Sequence, residues 1–269
     1  MVIDLYGMSE EDVRKTYPAI YQHLIQTVKP ERVVNNAAAT RTNWWIFRRP
    51  HPEFRPALDG LPRFIATVET AKHRTFQFLE GATVPDNKLI VIASEDAFHL
   101  GVLSSRLHAT WAWANGASLG MYIGNVVYVK SRCFDPFPFP ETTKAQAARI
   151  RDLAEELDAH RKRAQALGLG ITAQYNLLER LRGGEALTEK EQSTDAQGLV
   201  SLLLELHQKL DAAVAQAYGW DADLPESEIL ERLVALNQAR AAEEANGHIP
   251  WLRPDYQAPQ IRTGNPKNK

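Results

Sequence analysis

Residues 136–140 read Pro-Phe-Pro-Phe-Pro. Three alternating prolines exclude a helix interior and a central strand. Each lacks an N–H, and each disfavours the α region for the residue before it. What remains is an extended ribbon with Phe134, Phe137 and Phe139 as its apolar anchors. Such a ribbon can lie along a sheet without competing for ladder bonds and lead rigidly into a following helix. It also sits on the sharpest compositional change in the chain. All nine phenylalanines lie at or before Phe139, and the sequence beyond turns to Ala, Leu, Glu, Arg and Gln.

The second half reads as helices. "TTKAQAARIRDLAEELDAHRKRAQ" places Ile150, Leu153 and Leu157 at helical spacing, with Thr142 or Thr143 as its cap. "GLGI" interrupts, and "TAQYNLLERLR" forms a shorter helix ending at Gly183-Gly184. "TEKE" is a capping-box pattern, and one helix is expected from Thr188 to Tyr218. Its apolar stripe is Leu199, Leu203, Leu206, Leu210 and Val214. A last helix runs from "PESEIL" to about Asn246, stopped by Gly247. Short connections favour antiparallel packing and a unit that folds without residues 1–140.

The first half is mixed. Ser9 to Val28 reads as two helical turns and a helix, broken at Pro18. "WWIF", "RFIATVE", "TFQFL" and "KLIVIAS" read as short strands between turn residues. "DAFHLGVLSSRLHATWAWANG" reads as one helix ending at Gly116, followed by a strand or a hairpin around Gly124-Asn125. Without a βαβ rhythm the class is α+β. The expected organisation is a helical lead-in over 1–34, a mixed domain over 35–140, a helical domain over 141–257 and a disordered polar tail over 258–269.

Recognisable catalytic chemistry is missing from the pattern. There is no G-x-x-x-x-G-K-[ST], no G-x-S-x-G and no metal-spaced histidine pair. His99 and His108 are expected as core or surface residues. Cys133, the one cysteine, is expected as a small buried residue. It precludes an internal disulfide, which suits the cytoplasm. The start has no basic region before an apolar run, and no apolar stretch reaches the ~18 residues of a membrane span. Neither a catalytic nor a metal-binding residue is assigned.

Charge is uneven instead. From Lys29 to Arg74 there are nine Lys or Arg against four acids, in a chain of net charge −2. Asn35, Asn36, Asn43, Trp44 and Trp45 are interleaved. Arginine and lysine reach phosphates, and arginine and asparagine read base edges. The bland alternative is a solvated basic face with tryptophans in the core. Arg41, Asn43, Arg48, Arg49, Lys72 and Arg74 are the candidate DNA contacts. Lys130 and Arg132, beside the ribbon, form a second group.

Several blocks together resemble a known family. They are "RTNWWIFRRPHPEFRPALDGLPRFIATVETAKHRTFQFL", "PDNKLIVIASEDAFHLGVLSSRLHATW", "SRCFDPFPFP", "ELDAHRKRAQ", "ERLVALNQARAAEEA" and "WLRPDYQ". From Asp4 to Gln257 the chain resembles the C-terminal half of class I DNA methyltransferases of the type IIL, MmeI-like restriction-modification family. The resemblance implies a target-recognition domain and a helical region that bind double-stranded DNA for N6 methylation of adenine. It also implies S-adenosylmethionine on a catalytic domain with a Gly-rich loop and an Asn-Pro-Pro-aromatic loop, neither of which is in this sequence. A methyltransferase catalytic domain or subunit is therefore an expected partner. The alternative is a remnant whose helices dock a protein without contacting DNA. The segment Gly116 to Lys130 is more apolar than a base-reading approach should be.

Overall fold

The computed structural model describes residues 2–52, 54–118, 124, 126–195 and 199–258. The chain forms two compact units, Met1–Asp59 and Gly60–Lys269.

The first unit is helical. Ser9 accepts from the Asp12 N–H at 3.1 Å and caps α1 (Glu10–Thr16). Pro18 opens α2 (Pro18–Thr27), so the chain breaks where proline requires. Short helices follow: α3 (Lys29–Val33), α4 (Ala38–Thr42) and α5 (Arg55–Leu58). "WWIF" is not a strand. Trp44 is buried in a small core with Leu5, Val13 and Leu24, and the Trp45 indole donates to Met8 O at 3.0 Å. Burial of these rings overrides the β preference of the run.

The second unit carries two small antiparallel sheets. In the first, β1 (Arg63–Val68) lies between β3 (Gln77–Glu80) and β4 (Leu89–Ile92). Ile65 is opposite Phe78 on one side and Ile92 on the other. In the second, β6 (Val126–Val127) lies between β2 (Thr70–Ala71) and β5 (Ala117–Ser118). β5 and β6 are the antiparallel legs of the expected hairpin; its tip, apart from Gly124, lies outside the described residues.

The helix expected over 96–116 is two helices, α6 (Ala97–Ser104) and α7 (Arg106–Asn115). Ser105 makes the break: its hydroxyl donates to Val102 O at 2.7 Å and accepts from the His108 N–H at 3.4 Å. A short α8 (Lys130–Cys133) precedes the ribbon. Then come α9 (Lys144–Ala166), α10 (Ile171–Arg182), α11 (Glu189–Asp195), α12 (Ser201–Tyr218), α13 (Glu226–Ala245) and α14 (Pro254–Gln257). Thr143 and Gln146 form a capping box on α9. The helix expected over 188–218 is α11 and α12. The Asp195 carboxylate accepts from the Ser201 N–H at 2.8 Å, which starts the second helix afresh.

The ribbon is supported from more sides than expected. Its rings meet helices as well as a sheet: Phe137 joins the helical core, while Phe134 and Phe139 pack against the cluster that holds Ile65, Phe78 and Ile92 of the first sheet. Phe137 is buried, with its ring edge-to-face with His108 and Trp111. Phe139 meets Phe134, Phe137 and His99. Its carbonyls are met from the later helices: the Tyr218 hydroxyl donates to Pro138 O at 2.8 Å and the Asn237 amide donates to Pro136 O at 2.5 Å.

Compactness does not change at residue 140. Phe98, Val102, Leu107 and Trp111 share one core with Ile150, Leu153, Leu157, Leu203 and Leu210. A Cβ on Gly101 of α6 would stand 2.6 Å from Ile150 Cγ2 of α9, so these helices meet backbone to side chain. The helices after the ribbon thus share their core with α6 and α7 rather than forming a closed unit.

Candidate nucleic-acid interface

The eight sequence-chosen residues fall into three kinds of environment. In the first unit, Arg41 on α4 is exposed, but its Nη1 donates to the carbonyls of Asn35 (2.7 Å) and Asn36 (3.1 Å). It braces the loop before its own helix. Asn43 ends that helix: its N–H donates to Ala39 O at 3.0 Å, and its exposed side chain has no partner among the described residues. Arg48 and Arg49 follow in the loop between α4 and α5. Both are exposed, and neither guanidinium has a hydrogen bond or ion pair among the described residues.

In the second unit, Lys72 is exposed and tethered. Its ammonium donates to Glu179 Oε2 at 2.8 Å and Asn176 Oδ1 at 3.0 Å, both on α10. The same contact holds the Glu179 carboxyl below the usual carboxylate range. Lys130 is 3.6 Å from Asp135, a loose exposed pair worth little in water. Arg132 is exposed on α8 and free of side-chain partners among the described residues.

Arg74 is the exception to the expected role. Its Nη1 donates to Thr67 Oγ1 at 3.0 Å and to Val68 O, and its Nη2 to Val126 O at 2.8 Å and Glu69 O at 3.4 Å. The guanidinium lies 5.1 Å from the centre of the Tyr128 ring. Burial pushes its pKa down from the ordinary arginine value, and no carboxylate pairs with it among the described residues. All four terminal N–H groups already have acceptors. Charge counting had missed this, because Val126 lies 52 residues away in sequence.

The second unit also holds a buried polar chain that was not foreseen. Arg161 on α9 donates to Phe76 O at 2.9 Å and to the Tyr175 hydroxyl at 2.8 Å through Nε. The Tyr175 hydroxyl is 2.7 Å from His207 Nε2 on α12, and burial holds that imidazole well below its ordinary pKa, so the neutral ring accepts. His108 is likewise held neutral: burial lowers its pKa to about 3, while its ring meets Leu103 O and the Tyr128 hydroxyl. Both histidines are core residues. Cys133 is buried too, with its thiol against Ala112 O.

The strand β4 enters α6 through Ala93-Ser94-Glu95-Asp96, a turn without glycine. Asp96 caps α6 and is bound twice by Arg151, at 2.7 and 2.8 Å. An acidic, occupied turn of this kind does not fit the Gly-rich loop that S-adenosylmethionine requires. Among the described residues no group of three or more His, Cys, Asp or Glu could hold a metal ion. No helix there is long and apolar enough to cross a membrane.

The segment that ends at the aromatic ribbon is α+β, and on its loop between α4 and α5 Arg48 and Arg49 have no partner among the described residues. Residues 8–141 match the sequence family described as "MmeI, target recognition domain", and this chain carries a target recognition domain of that family over those residues. The family segment ends at the ribbon, where the composition changes. It spans both compact units and stops inside the core of the second. A solved structure, the type IIL restriction-modification enzyme MmeI in complex with DNA, matches 89% of this chain with a TM-score of 0.55 and 19% identity. The likeness is one of fold, and the match covers 28% of that enzyme's chain. No curated protein matches this sequence.

Proposed function

We propose that this chain recognises duplex DNA as the target-recognition portion of a type IIL-like restriction-modification methyltransferase. The observation that carries the reading is the pair Arg48 and Arg49. Two exposed guanidiniums without partners among the described residues stand inside the segment that matches the target recognition domain. A guanidinium left free by its own fold can grip a phosphate without first breaking a contact. Arg132 and the loosely held Lys130 are the corresponding cations of the second unit. The solved MmeI structure, whose fold this chain shares, is a complex with DNA.

On this reading the cofactor and the transfer of a methyl group to adenine N6 belong to a catalytic domain outside these residues, acting with this chain in the cytoplasm. The division of labour is physical. Methylation needs a pocket around an extruded base. Recognition needs cations to fix register on the backbone and side chains to read base edges. The test is duplex binding by the whole chain across a salt series. Phosphate contacts require the logarithm of affinity to fall linearly with the logarithm of salt concentration. Binding that ignores salt, or no binding at all, refutes the reading and favours helices that dock a protein.

A further inference from the structure

We infer that Phe47 is a further DNA contact: its ring packs on the carbon surface of the duplex beside the phosphates held by Arg48 and Arg49, and adds affinity that salt does not screen. The inference rests on the DNA-recognition reading above and adds one residue to the same loop.

The run Trp44-Trp45-Ile46-Phe47 divides in the first unit. Trp44 is buried beside Leu5, Val13 and Leu24, and Trp45 and Ile46 pack against the same core. The next residue, Phe47, is left 39% exposed. A lone exposed apolar residue is ordinary. This one is followed directly by two exposed guanidiniums without partners among the described residues. The loop that carries them is fixed at both ends. Before it, the Trp45 indole donates to Met8 O at 3.0 Å and the Ile46 N–H donates to Asn43 O at 3.3 Å. After it, His51 takes a left-handed backbone at φ 51°, and its carbonyl accepts the N–H groups of Phe54 and Arg55 at 3.1 and 3.3 Å. That turn brings Arg55 back onto the loop. Its Nε donates to Pro50 O at 2.8 Å, while Nη1 and Nη2 donate to the Asp4 carboxylate at 2.7 and 3.2 Å. Between these anchors Phe47, Arg48 and Arg49 are three consecutive exposed side chains. A loop already ordered by its own fold loses little freedom on binding.

The three side chains differ in what they offer. The free guanidiniums suit phosphate oxygens. Next to each phosphate the duplex presents the carbon surface of its sugars, and an aromatic ring covers such surface by removing water from both. Ring and charge side by side therefore match a nucleic-acid backbone. The two contributions separate in a salt series. Counterion release at phosphates sets the slope, whereas apolar burial shifts the line without tilting it.

The experiment uses the whole chain and a mixed-sequence duplex. Affinity is measured from low to high salt for the wild type, Phe47→Ala, Phe47→Leu and Arg48→Ala/Arg49→Ala. Phe47→Ala should bind roughly tenfold more weakly at every salt concentration, on a line parallel to the wild type, the size expected for one partly covered ring. Phe47→Leu keeps an apolar side chain and should recover most of that loss. The double arginine variant should tilt the line instead. A Phe47→Ala line that lies on the wild type, or that tilts, overturns the inference and leaves the phosphate reading standing. Crosslinking gives the second arm. With p-benzoyl-phenylalanine in place of Phe47, irradiation attacks C–H bonds within reach of the ring and should join the chain to bound duplex, with excess unlabelled duplex suppressing the product. No adduct at salt concentrations where the duplex is bound overturns the inference, and points to a protein surface as the ring's partner. A wild type that binds no duplex refutes this inference together with the reading beneath it.

Discussion

Phe137 and His108 meet edge-to-face, with ring centroids 4.6 Å apart, and both are buried. That contact explains why an extended, proline-rich segment can belong to a core. The ribbon provides few N–H groups, so it is held by its rings and by donors that reach its carbonyls from α12 and α13. Phe137→Ala should destabilise the second unit by about 3–5 kcal/mol. Urea unfolding followed by tryptophan fluorescence reads this directly through Trp111, which touches the same ring. An unchanged midpoint would mean that the ring does not pack as described.

Tyr175 stands between a buried guanidinium and a buried neutral imidazole. Removing its hydroxyl leaves Arg161 Nε and His207 Nε2 without that partner. Tyr175→Phe should cost about 1–3 kcal/mol, the penalty of unsatisfied buried polar groups, although the ring is kept. Thermal unfolding is the measurement, and a variant as stable as the wild type would show that water replaces the hydroxyl at no cost.

Gly101 marks the close approach of α6 to α9. A methyl group there would overlap Ile150 Cγ2, and the neighbouring Ala154 Cβ would be 3.2 Å away. Gly101→Ala should therefore destabilise by about 1–3 kcal/mol, despite alanine's better helix propensity. By the same packing, a fragment spanning residues 141–257 should lack cooperative unfolding, because α9 loses its α6 and α7 partners. A sharp thermal transition in that fragment would restore the independent helical unit expected from sequence.

How far the sequence was legible follows the range of the interactions. The helices α9, α10 and α13 were readable because their stops and stripes are local: the Thr143–Gln146 box, Gly247 in the left-handed region at φ 89°, and leucines at helical spacing. The strands β1, β3 and β4 were readable from short aromatic and branched runs. "WWIF" misled because a neighbouring helical core takes its first ring. The breaks at Ser105 and between α11 and α12 depend on side chains turning back to the backbone, which competes with helix periodicity. Within the candidate interface, charge density marks a stretch but cannot rank its members. Arg48 and Arg74 look alike in sequence. They differ because a strand 52 residues further on supplies an acceptor for Arg74.

Asp211 gives the protein an alkaline-side liability. Burial raises its carboxyl to about 6, outweighing the Arg106 N–H that donates to it at 2.7 Å. A raised carboxyl binds protons more tightly in the folded chain than in the unfolded one, so its contribution to stability falls as pH rises from about 4 to 6. Asp211→Asn keeps an acceptor for Arg106 without the charge. It should be more stable than the wild type at pH 7.5, with the gain vanishing near pH 4, as read by urea midpoints. A gain that persists at pH 4 would place its cause elsewhere.

The central claim is that DNA is gripped by the cations the fold leaves free. Arg48 and Arg49 have no partners among the described residues, whereas Lys72 is bound by Glu179 and Asn176. The most direct measurement is the slope of log affinity against log salt for the wild type, Arg48→Ala/Arg49→Ala and Lys72→Ala. The account predicts that the double variant binds all duplexes more weakly, with its slope shallower by about two units, and that Lys72→Ala keeps the wild-type slope. A double variant with the wild-type slope, or a loss confined to Lys72→Ala, would contradict it.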